Sequence, residues 1–371
     1  MSRTRREAIC VLAPAFSSED TDGYLRRIRA VDDKILSSME RFYLMGDRPG
    51  LGRERLSPFA PSAALLEFDS GSFLQRRRVF SRIRESGRLY IHSAYRLFAG
   101  NVSPRLEDVL RLPGVRVIWD VHGAVSEETA LCAGPELARR AARAEELLYR
   151  RSDGLVSVSA AMEAHLAEKF GPFRGRTFCL PLFEACGPSA QEGRKPLSRG
   201  RPVAVYAGGL QPWQNIPDLL DLASRTGTEY DWRLLVPDRP TLDRLWGGRP
   251  GQEGVQMRSG TPDQVGRELE RAHYGLLLRE DSIVNRVACP TKLAEYIRAG
   301  AVPVLRSARI GDMERLGIEY VREEDFARGA VPPEQERAAM AARNRQRWAA
   351  YERAAADSAA ALRQWILERG A

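Results

Sequence analysis

The chain has 371 residues, 43% hydrophobic and 29% charged, which is the composition of a globular protein and too long for one ordinary core. Basic residues outnumber acidic ones 57 to 49, and arginine supplies almost all of the +8 net charge. That balance suits a phosphate-bearing ligand, a nucleic acid, an anionic membrane or a polyanionic substrate, and a GC-rich coding sequence would produce it as well. No run approaches the roughly 20 apolar residues of a membrane span. The five cysteines are dispersed with no CxxC pair, so reduced thiols and no zinc site are expected. The basic N-terminus passes straight into a strand-like run, without the apolar core of a signal peptide, and a cytoplasmic location is expected.

Strand-like and helical patterns alternate along the chain. A strand over residues 8–13 precedes a helix over 23–36, with Leu25, Ile28, Val31 and Ile35 on one stripe. Strands over 42–45 and 63–68, a basic helix over 73–85, and strands over 89–92 and 115–121 follow. A long helix near 136–150, a strand over 155–158, a helix over 160–170 and a strand over 177–182 complete the first half. Residues 184–201, rich in Gly, Pro, Ser and charge, read as a linker. The rhythm restarts with strands over 203–207, 232–236, 255–257, 274–278 and 301–305, and the last forty residues are mostly helical. The fold class expected is α/β: two doubly wound parallel-sheet (Rossmann-like) domains facing across a cleft, with a long C-terminal helix. The boundaries fall at 1–183 for the first domain, 184–201 for the linker, 202–335 for the second domain and 336–371 for the helical tail.

The most informative stretch is 280–305, EDSIVNRVACPTKLAEYIRAGAVPVL. It reads as a loop, a helix opened by Pro290 and closed by Gly300, then a buried strand. Lys292 and Glu295 share one face, while Leu293, Tyr296 and Ile297 form a packing face. The free N–H groups of a helix start favour a phosphate, Lys292 adds a charge there, and a carboxylate one turn on can bind the hydroxyls of a ribose. The same residues also make an ordinary amphipathic helix with an i,i+3 ion pair, and both readings are open at this point.

Other segments at strand ends carry candidates. Asp120-Val121-His122-Gly123 follows an apolar strand; His122 there suits a phosphate or sugar hydroxyl, Glu127 and Glu128 follow, and the alternative is a turn capped by Asp120 with a solvated histidine. Val203–Ala207 leads into Gly208-Gly209, which allow close approach of a diphosphate, then Trp213 and Gln214 for a base or sugar, and a helix capped by Asn215. Asn285 and Arg286 precede the phosphate-binding helix, where Arg286 can neutralise a departing diphosphate, and Arg279, Glu280 and Asp281 can meet sugar hydroxyls; a solvated polar loop is the plain alternative. Asp20-Thr21-Asp22 has the form of a metal-binding carboxylate pair, but Asp22 is better read as a helix cap. His92 ends another strand, and the basic run QRRRVFSRIR over 75–84 fits a packed helix with a solvated basic face or a membrane-surface helix.

Taken together, DVHG (120–123), RSDGLVSVSAAMEAHL (151–166), VYAGGLQPWQNI (205–216) and above all CPTKLAEYIRAGAVPVL (289–305) resemble glycosyltransferase family 4, with the GT-B fold, over nearly the whole chain. DGYLRRIRAVDDKIL (22–36) is similar to one subgroup of bacterial surface-polysaccharide enzymes. The resemblance implies a retaining glycosyltransferase, with a nucleoside-diphosphate sugar as donor, a glycan or lipid-linked acceptor, no separate cofactor, and a peripheral place at the inner membrane. Metal independence is expected because the only carboxylate pair lies in the loop where Asp22 is better read as a cap. The resemblance places Glu295 on the ribose, Lys292 near the diphosphate and His122 at the donor sugar. With the readings above, His122, Arg286 and Lys292 are the catalytic candidates, and Glu295, Gly208, Gly209, Trp213, Gln214, Glu280, Asn285 and Thr291 the donor-binding ones. Asp22, His92 and Glu127 fall on the acceptor side. The chain departs from the family pattern in two respects. Gly209 and Gln214 stand where many members carry an Arg and a Lys, and Val287 stands eight residues before Glu295 where a second glutamate is usual. Arg286 and Lys292 are expected to supply the missing charge. A GT-B-fold nucleotide-sugar epimerase and an inactive sugar-nucleotide or glycan-binding scaffold are the rival readings. Nucleic-acid binding is not expected, for want of an aromatic-basic stacking pattern, nor is a dinucleotide oxidoreductase, for want of a GxGxxG after any strand.

Overall fold

The computed structural model describes residues 7–16, 23–95, 104–181 and 200–368. The chain divides into two compact units: residues 1–183 with 354–371, and residues 184–353.

The first unit is built on an eight-stranded sheet. In chain order its strands are β1 (Ala8–Leu12), β2 (Glu40–Met45), β3 (Arg55–Ala60), β4 (Ala63–Glu67), β5 (Arg88–His92), β6 (Arg116–Val121), β7 (Gly154–Ser157) and β8 (Arg176–Cys179). They lie side by side in the order β3-β4-β2-β1-β5-β6-β7-β8. All the pairings are parallel except β3 with β4, an antiparallel hairpin at the sheet edge with an irregular register at Pro58/Ala60. An edge position tolerates Pro58, which has no N–H for a ladder, and this hairpin departs from the wholly parallel sheet that the alternating rhythm implies. Central strands are buried over most of their length: β1 and β2 carry Ile9, Val11 and Tyr43, and β5 and β6 carry Tyr90 and Ile118. The helix at Gly23–Val31 runs on as one π turn, Asp32–Leu36, and lays Ile28, Val31, Ile35 and Leu36 on this core. Val125–Cys132 forms a further helix that periodicity does not reveal, because only Val125, Ser126 and Thr129 are buried.

The second unit has six strands, β9 (Val203–Ala207), β10 (Asp231–Leu235), β11 (Val255–Arg258), β12 (Tyr274–Leu277), β13 (Val302–Leu305) and β14 (Val321–Arg322), in the order β11-β10-β9-β12-β13-β14 and parallel throughout. The order reverses between β9 and β12, so residues that follow those strands sit at a topological switch point. Packing on one face centres on Phe326, stacked on Tyr230 at 4.0 Å and edge-on to Trp232 and Tyr274.

The C-terminal helix runs from Glu334 to Leu367. It is not a separate tail, as the 336–371 boundary implies, because its residues join both units. Trp348 and Tyr351 pack in a core of the second, while Leu362, Trp365 and Ile366 pack in the core of the first. Arg88 Nε donates to the Ile366 carbonyl at 2.6 Å, and the Arg116 guanidinium lies over the Trp365 ring at 4.6 Å. Gly154 makes room for that indole, since a Cβ there would lie 2.5 Å from Trp365 Cζ3.

Among the described residues, no helix is long and apolar enough to cross a membrane. Cys10, Cys132, Cys179 and Cys289 form no disulfide.

Candidate functional site

Two clusters of buried charge lie at the carboxyl ends of strands, one in each unit.

In the first unit the centre is Asp120, fully buried on β6. Its Oδ1 accepts from Arg27 Nε at 2.9 Å and Nη2 at 2.6 Å; its Oδ2 accepts from the Tyr90 hydroxyl at 3.1 Å. Arg27 also donates to the Leu180 carbonyl at 2.7 Å, which fixes the guanidinium against the sheet. Burial alone would raise the Asp120 carboxyl, but the Arg27 charge before all else holds it well below the usual range. Two histidines, His92 at the end of β5 and His122 just past β6, meet at Nδ1···Nε2 3.0 Å. The His92 Nδ1 lies 3.3 Å from Asp120 Oδ2 and the His122 Nε2 lies 3.5 Å from it. Burial pushes both imidazoles down against the pull of Asp120, His122 to about 4, a direction that favours the neutral rings. Tyr24 packs on the His122 ring at 4.8 Å and donates to the His92 carbonyl.

Three atoms with metal-ligating chemistry thus converge within 4.8 Å. The cation here is Arg27, which already neutralises Asp120 in a low-dielectric setting, and a divalent ion beside it would face direct repulsion.

The second unit presents a buried lysine. Tyr206 on β9 and Lys292 on the helix Thr291–Arg298 meet where Lys292 Nζ donates to the Tyr206 hydroxyl at 2.9 Å, with the ammonium 4.4 Å from the ring centroid. The same hydroxyl donates to the Gly209 carbonyl. Lys292 is 6% exposed. Burial first, and the Arg279 charge second, hold it well below the usual lysine range, while Glu295 works in the opposite direction. Gly208 makes the arrangement possible. Its φ is 148°, and a Cβ on it would lie 1.9 Å from Lys292 Cε. Glu295, one turn along the same helix, is buried at 8% exposure.

The remaining expected residues divide. Trp213 is half-buried and Gln214 buried in the turn Pro212–Gln214, with no hydrogen-bond partner for Gln214 Oε1 among the described residues. Thr291 is half-buried at the start of the helix whose N-cap is Pro290. Asn285 does not face a ligand: its amide donates to the Glu280 carbonyl at 2.9 Å and accepts from Arg279 at 3.3 Å, and the residue is 1% exposed. The Arg286 guanidinium is held by Asp281 at the surface through two bonds of 2.5 and 2.9 Å. The buried Arg279, from the end of β12, is the second cation felt at Lys292. Glu280 is occupied by Asn215 and Arg306. Asn215 adopts φ 54° and its amide donates to Asp218 at 3.0 Å, so it does not cap its helix through a side-chain acceptor.

On the other unit, His92 is wholly buried behind His122 and offers no surface to an acceptor. Glu127 accepts from Ser126 at 2.7 Å and from Lys169 at 2.9 Å, and these bonds with His165 outweigh burial to lower its carboxyl. Those contacts tie Glu127 to the Glu145 network and away from a ligand. Asp22 lies outside the described residues. Sequence reasoning missed Arg27, Tyr90 and Tyr206. Their partners are 93, 30 and 86 residues away in the chain, and no local pattern marks a lone buried Arg or Tyr.

Residues 44–182 match the family described as glycosyl transferase 4-like domain. A search of curated proteins finds no match. Among solved structures, the chain is similar to Anabaena Alr3699/HepE in complex with UDP-glucose, at 11% identity over 97% of this chain and 98% of that one, with a TM-score of 0.65. It is similar to an α,α-trehalose-phosphate synthase (UDP-forming) from Burkholderia vietnamiensis at 14% identity over 98% and 99%, TM-score 0.63. WaaG, a glycosyltransferase involved in lipopolysaccharide biosynthesis, matches at 13% identity over 97% and 99%, TM-score 0.60. At these identities the likeness is one of fold, and the fold is the two-domain GT-B fold of glycosyltransferases.

Proposed function

We propose that the protein is a retaining glycosyltransferase that moves a sugar from a nucleoside diphosphate to a hydroxyl acceptor in the synthesis of a bacterial surface polysaccharide or glycolipid. The observation that carries this reading is Lys292. A lysine buried to 6% exposure, whose one hydrogen bond among the described residues is to a neutral phenol, stands at a helix N-terminus opposite glycine backbone. Among the described residues such a site holds no anion in hydrogen-bond reach of the lysine, and it suits one. A diphosphate supplies the charge, Glu295 one turn on accepts from the ribose hydroxyls, and Trp213 and Gln214 border the base or sugar. Support for the donor class also comes from the similar Anabaena structure, whose bound molecule is UDP-glucose.

On the acceptor-facing unit, His122 meets a hydroxyl of the donor sugar. The acceptor hydroxyl attacks on the face from which the diphosphate departs, and its proton passes to a leaving phosphate oxygen, so no covalent enzyme intermediate is formed. Lys292, Arg279 and the helix N-terminus stabilise the charge that develops on the leaving group. Activity is expected to survive a chelator, because these cations do the work assigned elsewhere to a metal. The basic helix Phe73–Ser86, with Phe73 and Leu74 exposed at 67% and 64%, fits peripheral contact with an anionic membrane that carries a lipid-linked acceptor.

The test is thermal stabilisation of the purified protein by UDP, GDP, ADP, dTDP and CMP, beside Glu295→Ala. One nucleoside diphosphate at a hundred times its Kd should add about 2.7 kcal/mol of stability, and Glu295→Ala should lose that response. No response to any nucleotide would contradict the proposal. A response with no turnover across acceptors would leave a binding scaffold.

A further inference from the structure

The two histidines of the first unit carry more information than their proximity to Asp120. Three interior atoms form a triangle: His92 Nδ1 and His122 Nε2 at 3.0 Å, His92 Nδ1 and Asp120 Oδ2 at 3.3 Å, and His122 Nε2 and Asp120 Oδ2 at 3.5 Å. The two outward atoms, His92 Nε2 and His122 Nδ1, are buried and have no hydrogen-bond partner among the described residues.

Only one arrangement of protons suits this triangle when both rings are neutral. Two interior N–H groups would face each other across 3.0 Å and repel. Two interior lone pairs would face each other and a carboxylate, which is worse. A single interior proton makes an N–H···N hydrogen bond and lets the same N–H lean on Asp120. A neutral imidazole has one N–H, so the interior choice fixes both outward atoms: one becomes a donor and the other an acceptor. Asp120 breaks the tie. Its Oδ2 is nearer to His92 Nδ1 than to His122 Nε2, and Arg27 and Tyr90 hold that carboxylate in place.

We propose that His92, anchored by Asp120, donates its Nδ1–H to His122 Nε2 and thereby locks His122 in the tautomer that carries its proton on Nδ1. His122 is then a hydrogen-bond donor and not a base, and His92 is a positioning residue that sets the direction of recognition. Resting on the reading of His122 as the residue that meets the donor sugar, the ligand atom opposite it is an acceptor oxygen of that sugar. It also follows that this histidine does not remove the proton of the attacking hydroxyl, since its outward nitrogen has no lone pair to give.

The chain has only four histidines, so nitrogen NMR of the histidine-labelled full-length protein resolves each ring, with assignment by single substitution. The expected result is a protonated Nδ1 and a bare Nε2 on His122 at neutral pH. His92→Phe, which leaves the Asp120 carboxylate alone opposite His122 Nε2, should flip His122 to the Nε2–H tautomer. His92→Asn, whose amide N–H replaces the lost Nδ1–H, should restore the wild-type signal. Turnover should fall by about tenfold or more in His92→Phe and recover in His92→Asn, with nucleoside-diphosphate affinity unchanged in both. An Nε2–H tautomer in the wild type, a doubly protonated His122, or one bound zinc per chain with both rings metal-shifted would each overturn the proposal. The NMR readout needs no substrate, so its failure is distinct from a failure to bind nucleotide.

Discussion

In the first unit a buried carboxylate, Asp120, meets a guanidinium at 2.6 Å, a phenol and two imidazoles; in the second a buried ammonium, Lys292, meets one phenol at 2.9 Å. Both side chains are almost or wholly removed from water. The first has its opposite charge within the fold and the second has it in hydrogen-bonding reach of nothing described. A buried group that is fully paired reads as architecture that holds other atoms still, whereas one left short of a counter-charge reads as a place where a ligand completes the structure. The chain also has 57 basic residues of which only four are lysines, Lys34, Lys169, Lys195 and Lys292, and one of the four occupies this position. A lysine can shed its proton when the site is empty and regain it when an anion arrives; an arginine cannot.

This contrast can be broken first at the compensated end. Asp120→Ala leaves Arg27 buried without its partner and should cost about 3–5 kcal/mol of unfolding free energy, read from urea denaturation. A loss near zero would mean that the cluster is not holding the first unit together. At the other end, Gly208→Ala puts a methyl group where Lys292 Cε now lies, so the lysine must leave. Nucleoside-diphosphate affinity measured by calorimetry should fall by about a hundredfold, close to the value of a charge-assisted hydrogen bond or two, and unchanged affinity would remove Lys292 from the donor site.

A smaller effect tests the sign of the lysine's titration. Its folded proton affinity is depressed, so between the folded value and the ordinary lysine value the unfolded chain binds more protons than the native one. Stability should therefore rise with pH through that window, and Lys292→Met should flatten the rise. Nucleoside-diphosphate binding, which restores the charged form, should take up a proton and weaken as pH climbs through the same window. A stability that falls there in a Lys292-dependent way would reverse the assignment. The smallest change is expected at Arg286→Ala. Its pair with Asp281 is exposed, so the melting midpoint should hold, and donor affinity should hold too, because that guanidinium is already spent.

Much of the fold was legible in the sequence. The helix Ala160–Phe170 and the strand Val203–Ala207 fall where hydrophobic periodicity puts them, because each buries one continuous apolar face or run. The hairpin strand Arg55–Ala60 was not, since an edge strand is exposed along much of its length and carries no period-two signal. The two-residue strand Val321–Arg322 is too short to carry any. At the site, Lys292 and Glu295 were legible because both lie on one helix, and the spacing alone fixes their common side. Their surroundings were not. Tyr206 reaches Lys292 from 86 residues away, and Arg27 reaches Asp120 from 93. Nor did any pattern mark Arg286 as paired locally: Asp281, five residues before it, holds the guanidinium.

The most direct measurement compares unfolding free energy with and without UDP and GDP in the wild type and in Lys292→Met. The account predicts a variant at least as stable as the wild type when unliganded, because a buried amine whose charged form the site disfavours has been removed, yet deaf to both nucleotides. A variant that is less stable when unliganded and gains as much from nucleotide as the wild type would contradict it.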